Sequence, residues 1–137
     1  MALLIKTPVQ MRFSDADSFG HVNNVAQQMY FDLGKTDLFK ELWRLTAAAE
    51  QVPAIIASLN TEFYEQIRYG EELLVETFIE KVGHKSLTLV QRLKSGERLC
   101  TLSRTVMECY DKQRGQSIAV PAERIPYVGE QKKHTIN

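Results

Sequence analysis

Between Phe13 and Asn24 the chain reads FSDADSFGHVNN. Two aspartates, Asp15 and Asp17, precede Gly20 and His21, and the run continues directly into Asn23 and Asn24. An aspartate carboxylate can attack a carbonyl carbon as a nucleophile or take a proton from water as a general base. A histidine can orient a bound molecule, pass a proton near neutral pH, or simply bond a backbone carbonyl. These groups become more useful if a helix starts beside them. The N–H groups of a first turn have no intrahelical acceptor and carry a partial positive charge, which suits a developing oxyanion. The same residues also have a plainer reading, because Asp and Asn cap helices and brace turns. By residue type alone Asp17 is a turn residue, and Asp15 and Asn23 are capping or bracing residues.

The elements around this cluster follow from pattern and punctuation. Val9, Met11 and Phe13 alternate with Gln10, Arg12 and Ser14, which predicts a first strand with Pro8 near its start. From Asn23 or Asn24 to about Trp43 there is no proline and helix formers dominate, so one long helix is expected, with Gly34 as its weak point. Its apolar residues do not keep to one stripe, since Val25, Met29 and Leu33 share one side while Phe31, Leu38, Leu42 and Leu45 drift to another. Either the helix kinks near Gly34 or a sheet buries it on most sides. After a linker ending at Pro53, four β-like segments follow: AIIASLNTEFYEQIRY, ELLVETFIEKVG, SLTLVQRLKS and ERLCTLSRTVMECYD. Turn signals at Gly70-Glu71, Gly83-His84-Lys85 and Ser95-Gly96 separate them, which predicts an antiparallel meander. The class is α+β, and the tail from Ala119 is expected to form a short capping turn and a frayed end.

At 137 residues, one domain with one hydrophobic core is expected. Basic and acidic residues balance at 17 each and 44% of residues are hydrophobic, a soluble composition without the electrostatic footprint of a nucleic-acid binder. The N-terminal apolar run is too short for a secretory core or a membrane span, which points to the cytosol. Cys100 and Cys109 lie in one expected strand at an odd separation, so their side chains should point to opposite faces as free buried thiols. No C-x-x-C or H-E-x-x-H occurs, and the histidines are scattered at 21, 84 and 134, so no metal site is expected.

The pattern Asp15-x-Asp17-x-x-Gly20-His21-Val22-Asn23-Asn24, with Tyr30-Phe31-Asp32 in the helix, resembles the active-site segment of hotdog-fold acyl-CoA thioesterases of the 4-hydroxybenzoyl-CoA thioesterase family. The stretch SLNTEFYEQIRYGEELLVETFIEKVGHKSLTLVQRL resembles the strand region of that family in register. Together the two blocks cover roughly Val9 to Pro121. The resemblance implies a hotdog fold, in which a five-stranded antiparallel sheet wraps one long central helix, and it favours burial of that helix over a kink. It also implies a homodimer with sites at the subunit interface, with pairing of dimers into a homotetramer left open. The free edges of a curled sheet independently invite a second copy.

On this resemblance the activity is hydrolysis of an acyl-CoA thioester, with no cofactor beyond the coenzyme A of the substrate. Asp17 is the reacting carboxylate, as nucleophile or general base. The backbone amide of Asn24 polarises the thioester oxygen, Gly20 frees the backbone of the loop, and His21 joins the catalytic group. His84, Lys85 and Ser86 are the candidates for the coenzyme A phosphates, against the plainer reading of an exposed hairpin. Arg68 and Arg92 are weaker candidates. Phe63, Leu73, Phe78 and Leu89 are read as core.

Two positions depart from the family pattern. Gln27 stands where an aromatic residue is usual and alters the wall of the acyl pocket. Gln66 stands where a turn proline is common, in a place read as remote from the chemistry. An acyl carrier protein thioester is the alternative substrate. The rival from another class is a non-catalytic acyl-CoA binding or sensing domain. A hotdog dehydratase would need His21 and Asp32 in roles that their surroundings do not resemble.

Overall fold

The computed structural model describes residues 3–45 and 54–120. Strand β1 (Ile5–Val9) leads through a single 3-10 turn (Phe13–Asp15) to the long helix α1 (Asn24–Leu45). Strands β2 (Ala54–Phe63), β3 (Leu73–Val82), β4 (Ser86–Ser95) and β5 (Arg98–Asp111) follow, and a two-residue strand β6 (Gln116–Ser117) hangs on β5. The five long strands form one antiparallel sheet in the order β1-β3-β4-β5-β2. This is the expected α+β hotdog architecture, with β6 as an addition. Among the described residues no helix is long and apolar enough to cross a membrane. The linker before Pro53 and the tail beyond Val120 lie outside the described residues.

Three expectations from pattern are corrected. Strand β1 ends at Val9 rather than running to Phe13, and Pro8 lies near its end. The chain turns there through a 3-10 turn closed by Asp15 N donating to Arg12 O at 3.0 Å, and the Asp15 side chain accepts the Arg12 backbone N–H at 2.9 Å. Pro8 is tolerated because β1 is an edge strand, paired only to β3. Second, β2 is not the first strand of a meander. It pairs with β5, in register Phe63↔Thr101, Thr61↔Ser103 and Leu59↔Thr105, so residues 64–72 cross to the far side of the sheet. Only β3, β4 and β5 form a meander.

Third, Cys100 and Cys109 do not face opposite ways. The register of β4 against β5 shifts between Leu93 and Lys94, so that Leu93 pairs with Thr101 and Lys94 with Leu99. The extra residue, Cys100, forms a bulge that resets the alternation, and both thiols lie in clusters shared with α1. Nine residues of strand still separate them by roughly 30 Å. Burial raises the pKa of both thiols.

Helix α1 lies over β1, β3 and β4. Its sheet side buries Phe31, Leu38 and Leu42 almost completely. Gly34 is where the helix comes closest to the sheet, since a Cβ there would stand 2.5 Å from Thr77 Oγ1 and 2.7 Å from Gln91 Nε2. It is a contact point rather than a weak point. The opposite side is not wrapped, because Val25, Met29 and Leu33 are 59%, 48% and 50% exposed. That exposed row, three residues at four-residue spacing, explains the drifting apolar pattern better than burial on most sides.

Leu73, Phe78 and Leu89 are core residues as expected. Phe78 packs with Val90 and Leu102, with the Arg92 guanidinium 5.1 Å from its ring. Phe63 is not core. It is 51% exposed, and β2 as a whole is open on both faces.

Candidate active site

The loop from Asp15 to Asn23 is held by both neighbouring segments. Asp15 is 2% exposed and accepts hydrogen bonds from the Tyr30 hydroxyl at 2.6 Å and from Arg12 Nε at 3.1 Å. Burial alone would raise its pKa. The hydrogen bonds from Tyr30 and from the Arg12 backbone and side chain more than offset this and hold it below the ordinary carboxylate value. The Tyr30 hydroxyl is pushed up by its burial and by the bond to Asp15. Asp15 is therefore the brace that its residue type suggests. Its carbonyl also accepts the Asn23 N–H at 3.0 Å.

Asp17 closes a tight turn and also faces open space. Its N–H donates to His21 O at 2.8 Å and its carbonyl accepts from Gly20 N at 3.0 Å. Its Oδ1 accepts the amides of Phe19 at 2.9 Å and His21 at 3.2 Å. One carboxylate oxygen thus fixes the side chain and leaves Oδ2 without a hydrogen bond among the described residues. Gly20 has φ of +80°, a left-handed angle that L side chains rarely adopt, while a Cβ there would meet nothing within 4 Å. The backbone angle, not crowding, requires the glycine. The crossover after β2 docks this loop from the other side. Val22 N donates to Ile67 O at 2.7 Å and Tyr69 N to Gly20 O at 3.0 Å.

The helix begins where the loop ends. Asn23 is the cap, its Oδ1 accepting the Ala26 N–H at 2.8 Å and its carbonyl the Gln27 N–H at 3.2 Å. These bonds account for the amides of Asn23, Ala26 and Gln27. The amides of Asn24 and Val25 are left to be answered from outside the helix, at its positive end.

A cleft of about 680 Å³ opens beside this point. Asp17, His21, Asn23, Asn24 and Gln27 line one wall, and Phe63, Tyr64, Glu65 and Gln66 line the other. The structure therefore brings Asp17, His21 and Asn24 to one cavity, with Gly20 in the turn behind them. Sequence reasoning missed the second wall. Gln66 is not remote from the chemistry, and Phe63 is a lining residue, because the crossover carries residues 63–66 past the start of the helix. The signal available was the break in the β2 pattern after Phe63. Glu65 pairs with Arg98 at 3.4 Å, and its N–H and that of Tyr64 both donate to the carbonyl of the bulged Cys100. Gln27, 4% exposed, accepts a hydrogen bond from Thr101 Oγ1 at 2.6 Å.

His84, Lys85 and Ser86 lie elsewhere. They form the β3–β4 turn, closed by Gly83 N donating to Ser86 O at 2.7 Å, with His84 and Lys85 exposed. That turn is at the opposite end of the sheet from the cleft, a ten-residue strand or about 30 Å away. Within one chain these residues do not join Asp17. Arg92 is on β4 against Glu76 at 3.0 Å, and Arg68 is exposed beside the loop, bridged through its backbone to His21.

Comparison with known proteins agrees with this fold. Residues 11–128 match the family model of the thioesterase-like superfamily. The uncharacterized protein YsmA of Bacillus subtilis is 32% identical over 81% of this chain and 76% of its own length. The acyl-CoA thioester hydrolase YbgC of Escherichia coli O6:H1 is 22% identical over 86% of this chain and 90% of its own. A Bacillus stearothermophilus protein described as a predicted thioesterase has the same fold, with a TM-score of 0.79 at 23% identity over 98% of each chain. With a carboxylate and a helix start facing one cleft, and a family model matched across most of its length, the chain belongs to the thioesterase-like superfamily.

Proposed function

We propose that this protein hydrolyses an acyl-CoA thioester to the free acid and coenzyme A. The observation that carries this reading is the common cleft of Asp17 and the first turn of α1. Asp17 attacks the thioester carbonyl through Oδ2, or takes a proton from a water that does so. In either route the carbonyl oxygen gains negative charge, and the Asn24 amide stabilises it at the positive end of the helix. The C–S bond then breaks, and sulfur leaves with the bonding pair and collects a proton. On the general-base route the acyl carbon keeps the oxygen of the water. On the nucleophilic route it remains on Asp17 as a mixed anhydride, which a water then hydrolyses to the free acid and the Asp17 carboxylate. An ordinary thiol has a pKa of about 8.5, so the sulfur is a competent leaving group, and His21 in the cleft is available to protonate it. Gly20 holds the turn that fixes the Asp17 side chain.

Coenzyme A binding by His84, Lys85 and Ser86 requires a second copy of the chain. The ten-residue edge strand β2 is open on both faces, and Ile55, Ile56, Leu59 and Phe63 are each about half exposed on it. Such an edge is a template for pairing. Antiparallel pairing of β2 with its counterpart about a twofold axis sets the Ala54 end of one chain beside the Phe63 end of the other. The β3–β4 turn of one subunit then approaches the cleft of its partner. We therefore infer a homodimer with two composite sites.

The test is thiol release from acyl-CoAs of graded length, an aromatic acyl-CoA and the matching acyl carrier protein thioesters, alongside binding of a non-hydrolysable CoA thioether. Turnover above background supports a hydrolase and identifies the carrier. Thioether binding without thiol release makes the protein an acyl-CoA binding domain. Sedimentation of the wild type and of Leu59→Lys tests the dimer, which the lysine should dissociate.

A further inference from the structure

The helix-facing side of β5 differs from that of its neighbours. On β3 and β4 the positions facing α1 are the buried apolar Val75, Ile79, Leu87, Leu89 and Leu93, interrupted by the bonded pair Thr77 and Gln91 beneath Gly34. On β5 three successive positions of that face are Thr101, Ser103 and Thr105, each fully buried. These hydroxyls are closed off from solvent, and Thr101 reaches the cleft through its bond to Gln27.

Two helix side-chain amides bond this row or its β2 neighbour. Gln27, at the cleft, accepts from Thr101 Oγ1 at 2.6 Å, while its Nε2 makes only a long contact of 3.4 Å to Val22 O. One residue on, Gln28 Nε2 donates to Thr61 Oγ1 at 3.0 Å, and Thr61 Oγ1 stands 3.3 Å from Ser103 Oγ. Because Phe63 is opposite Thr101 and Thr61 opposite Ser103, the two polar rows follow one another inward from the cleft, about 7 Å apart. In the next row, Thr105 Oγ1 is buried with no hydrogen-bond partner among the described residues.

Resting on the hydrolase reading above, we propose that Gln27, backed by Thr101, is an acyl subsite in the cleft which selects acyl groups bearing a hydroxyl over plain alkyl chains of equal length. An alkyl chain laid along it would bury amide and hydroxyl groups without replacing their hydrogen bonds, which is costly. A substrate hydroxyl can accept from the amide Nε2 and donate to a threonine or glutamine oxygen. A purely structural role is already filled elsewhere. Gln91 Nε2 donates to Phe31 O at 2.7 Å and to Thr77 Oγ1 at 3.0 Å beneath Gly34, locking helix to sheet on the closed side. Gln27 instead lines the cavity that holds Asp17.

The experiment compares kcat/KM for hexanoyl-CoA with that for hydroxyhexanoyl-CoAs carrying the hydroxyl at each carbon in turn. Full-length wild type and the double variant Gln27→Leu/Thr101→Val are both measured. Removing both partners of a buried hydrogen bond with groups of similar shape is close to neutral for folding, which keeps the variant usable. Thermal unfolding confirms this, and Gln27→Met is the replacement if the double variant does not fold. A site built to hydrogen-bond a substrate group discriminates strongly against an analogue without it. The wild type should therefore favour at least one hydroxylated substrate by about tenfold or more, and the variant should lose most of that ratio. A wild type that prefers hexanoyl-CoA, or a ratio unchanged in the variant, overturns the subsite. The same ratio is read from binding of the matching CoA thioethers. Selective binding without thiol release would keep the subsite and remove the hydrolase reading, whereas turnover without selectivity would do the reverse.

Discussion

The two halves of helix α1 meet the sheet on different terms. Beyond Gly34, Leu38, Phe39 and Leu42 pack on Ile79, Leu87, Leu89, Met107 and Cys109, and the polar groups of this half, buried Lys35 and the Thr7 hydroxyl that donates to Asp37 at 2.7 Å, do not line the cleft. Before Gly34 the helix also has an apolar contact, through Ala26, Tyr30 and Phe31, but buried Asp15, Gln27 and Thr101 border it. Burying polar groups costs free energy unless every one is bonded, and before Gly34 one of them, Gln27, also lines the cleft beside Asp17. The difference marks the C-terminal half as the anchor and the N-terminal half as the one that borders the cleft.

That contrast can be broken most severely at the anchor. Leu38→Ala removes a fully buried side chain and should cost about 2–5 kcal/mol in urea unfolding, with kcat/KM of the remaining folded protein nearly unchanged. Gly34→Ala probes the boundary. Helix propensity favours alanine by about 1 kcal/mol, but the new Cβ would meet Thr77 Oγ1 at 2.5 Å and Val75 Cγ1 at 2.8 Å, so overpacking should win and destabilise by about 1–3 kcal/mol. Thermal unfolding decides the sign.

At the polar end, Asp15→Asn should cost about 1–2 kcal/mol at neutral pH by weakening its bonds to Arg12 and Tyr30. Its folded pKa is depressed, so the stability it contributes is complete above the unfolded value near 4 and is lost as pH falls through the lower folded value. The gap between wild type and variant should therefore narrow below about pH 4, as read by urea titrations across that range. Smallest is Lys85→Ala, an exposed cation at the far turn. It should raise KM for a CoA substrate about two- to fivefold, less at high salt, and leave kcat unchanged.

Local signals were enough for the parts that local physics determines. The asparagine cap and the absence of proline mark α1, and the turns at Gly83 and Ser95-Gly96 mark the β3–β5 meander. The loop carrying Asp17 was legible for the same reason, since its turn, cap and helix start are contiguous. Strand β2 was not. Its residue pattern is the same whether it pairs with β3 or β5, and only the whole sheet decides between them. The second wall of the cleft follows from that crossover, so Phe63 was misread as core and Gln66 as remote. The bulge at Cys100 escaped as well, because no glycine or proline marks the shift between Leu99 and Thr101. The distance between Lys85 and Asp17 was invisible in a pattern that places both in one family site.

The most direct measurement is the rate of thiol release by Asp17→Asn beside its thermal unfolding midpoint. Asparagine keeps an oxygen to accept the Phe19 and His21 amides, so the turn and the midpoint should be retained. Activity should fall on the order of a hundredfold or more. Wild-type rates in a folded Asp17→Asn protein would contradict it and move the chemistry to another group in the cleft.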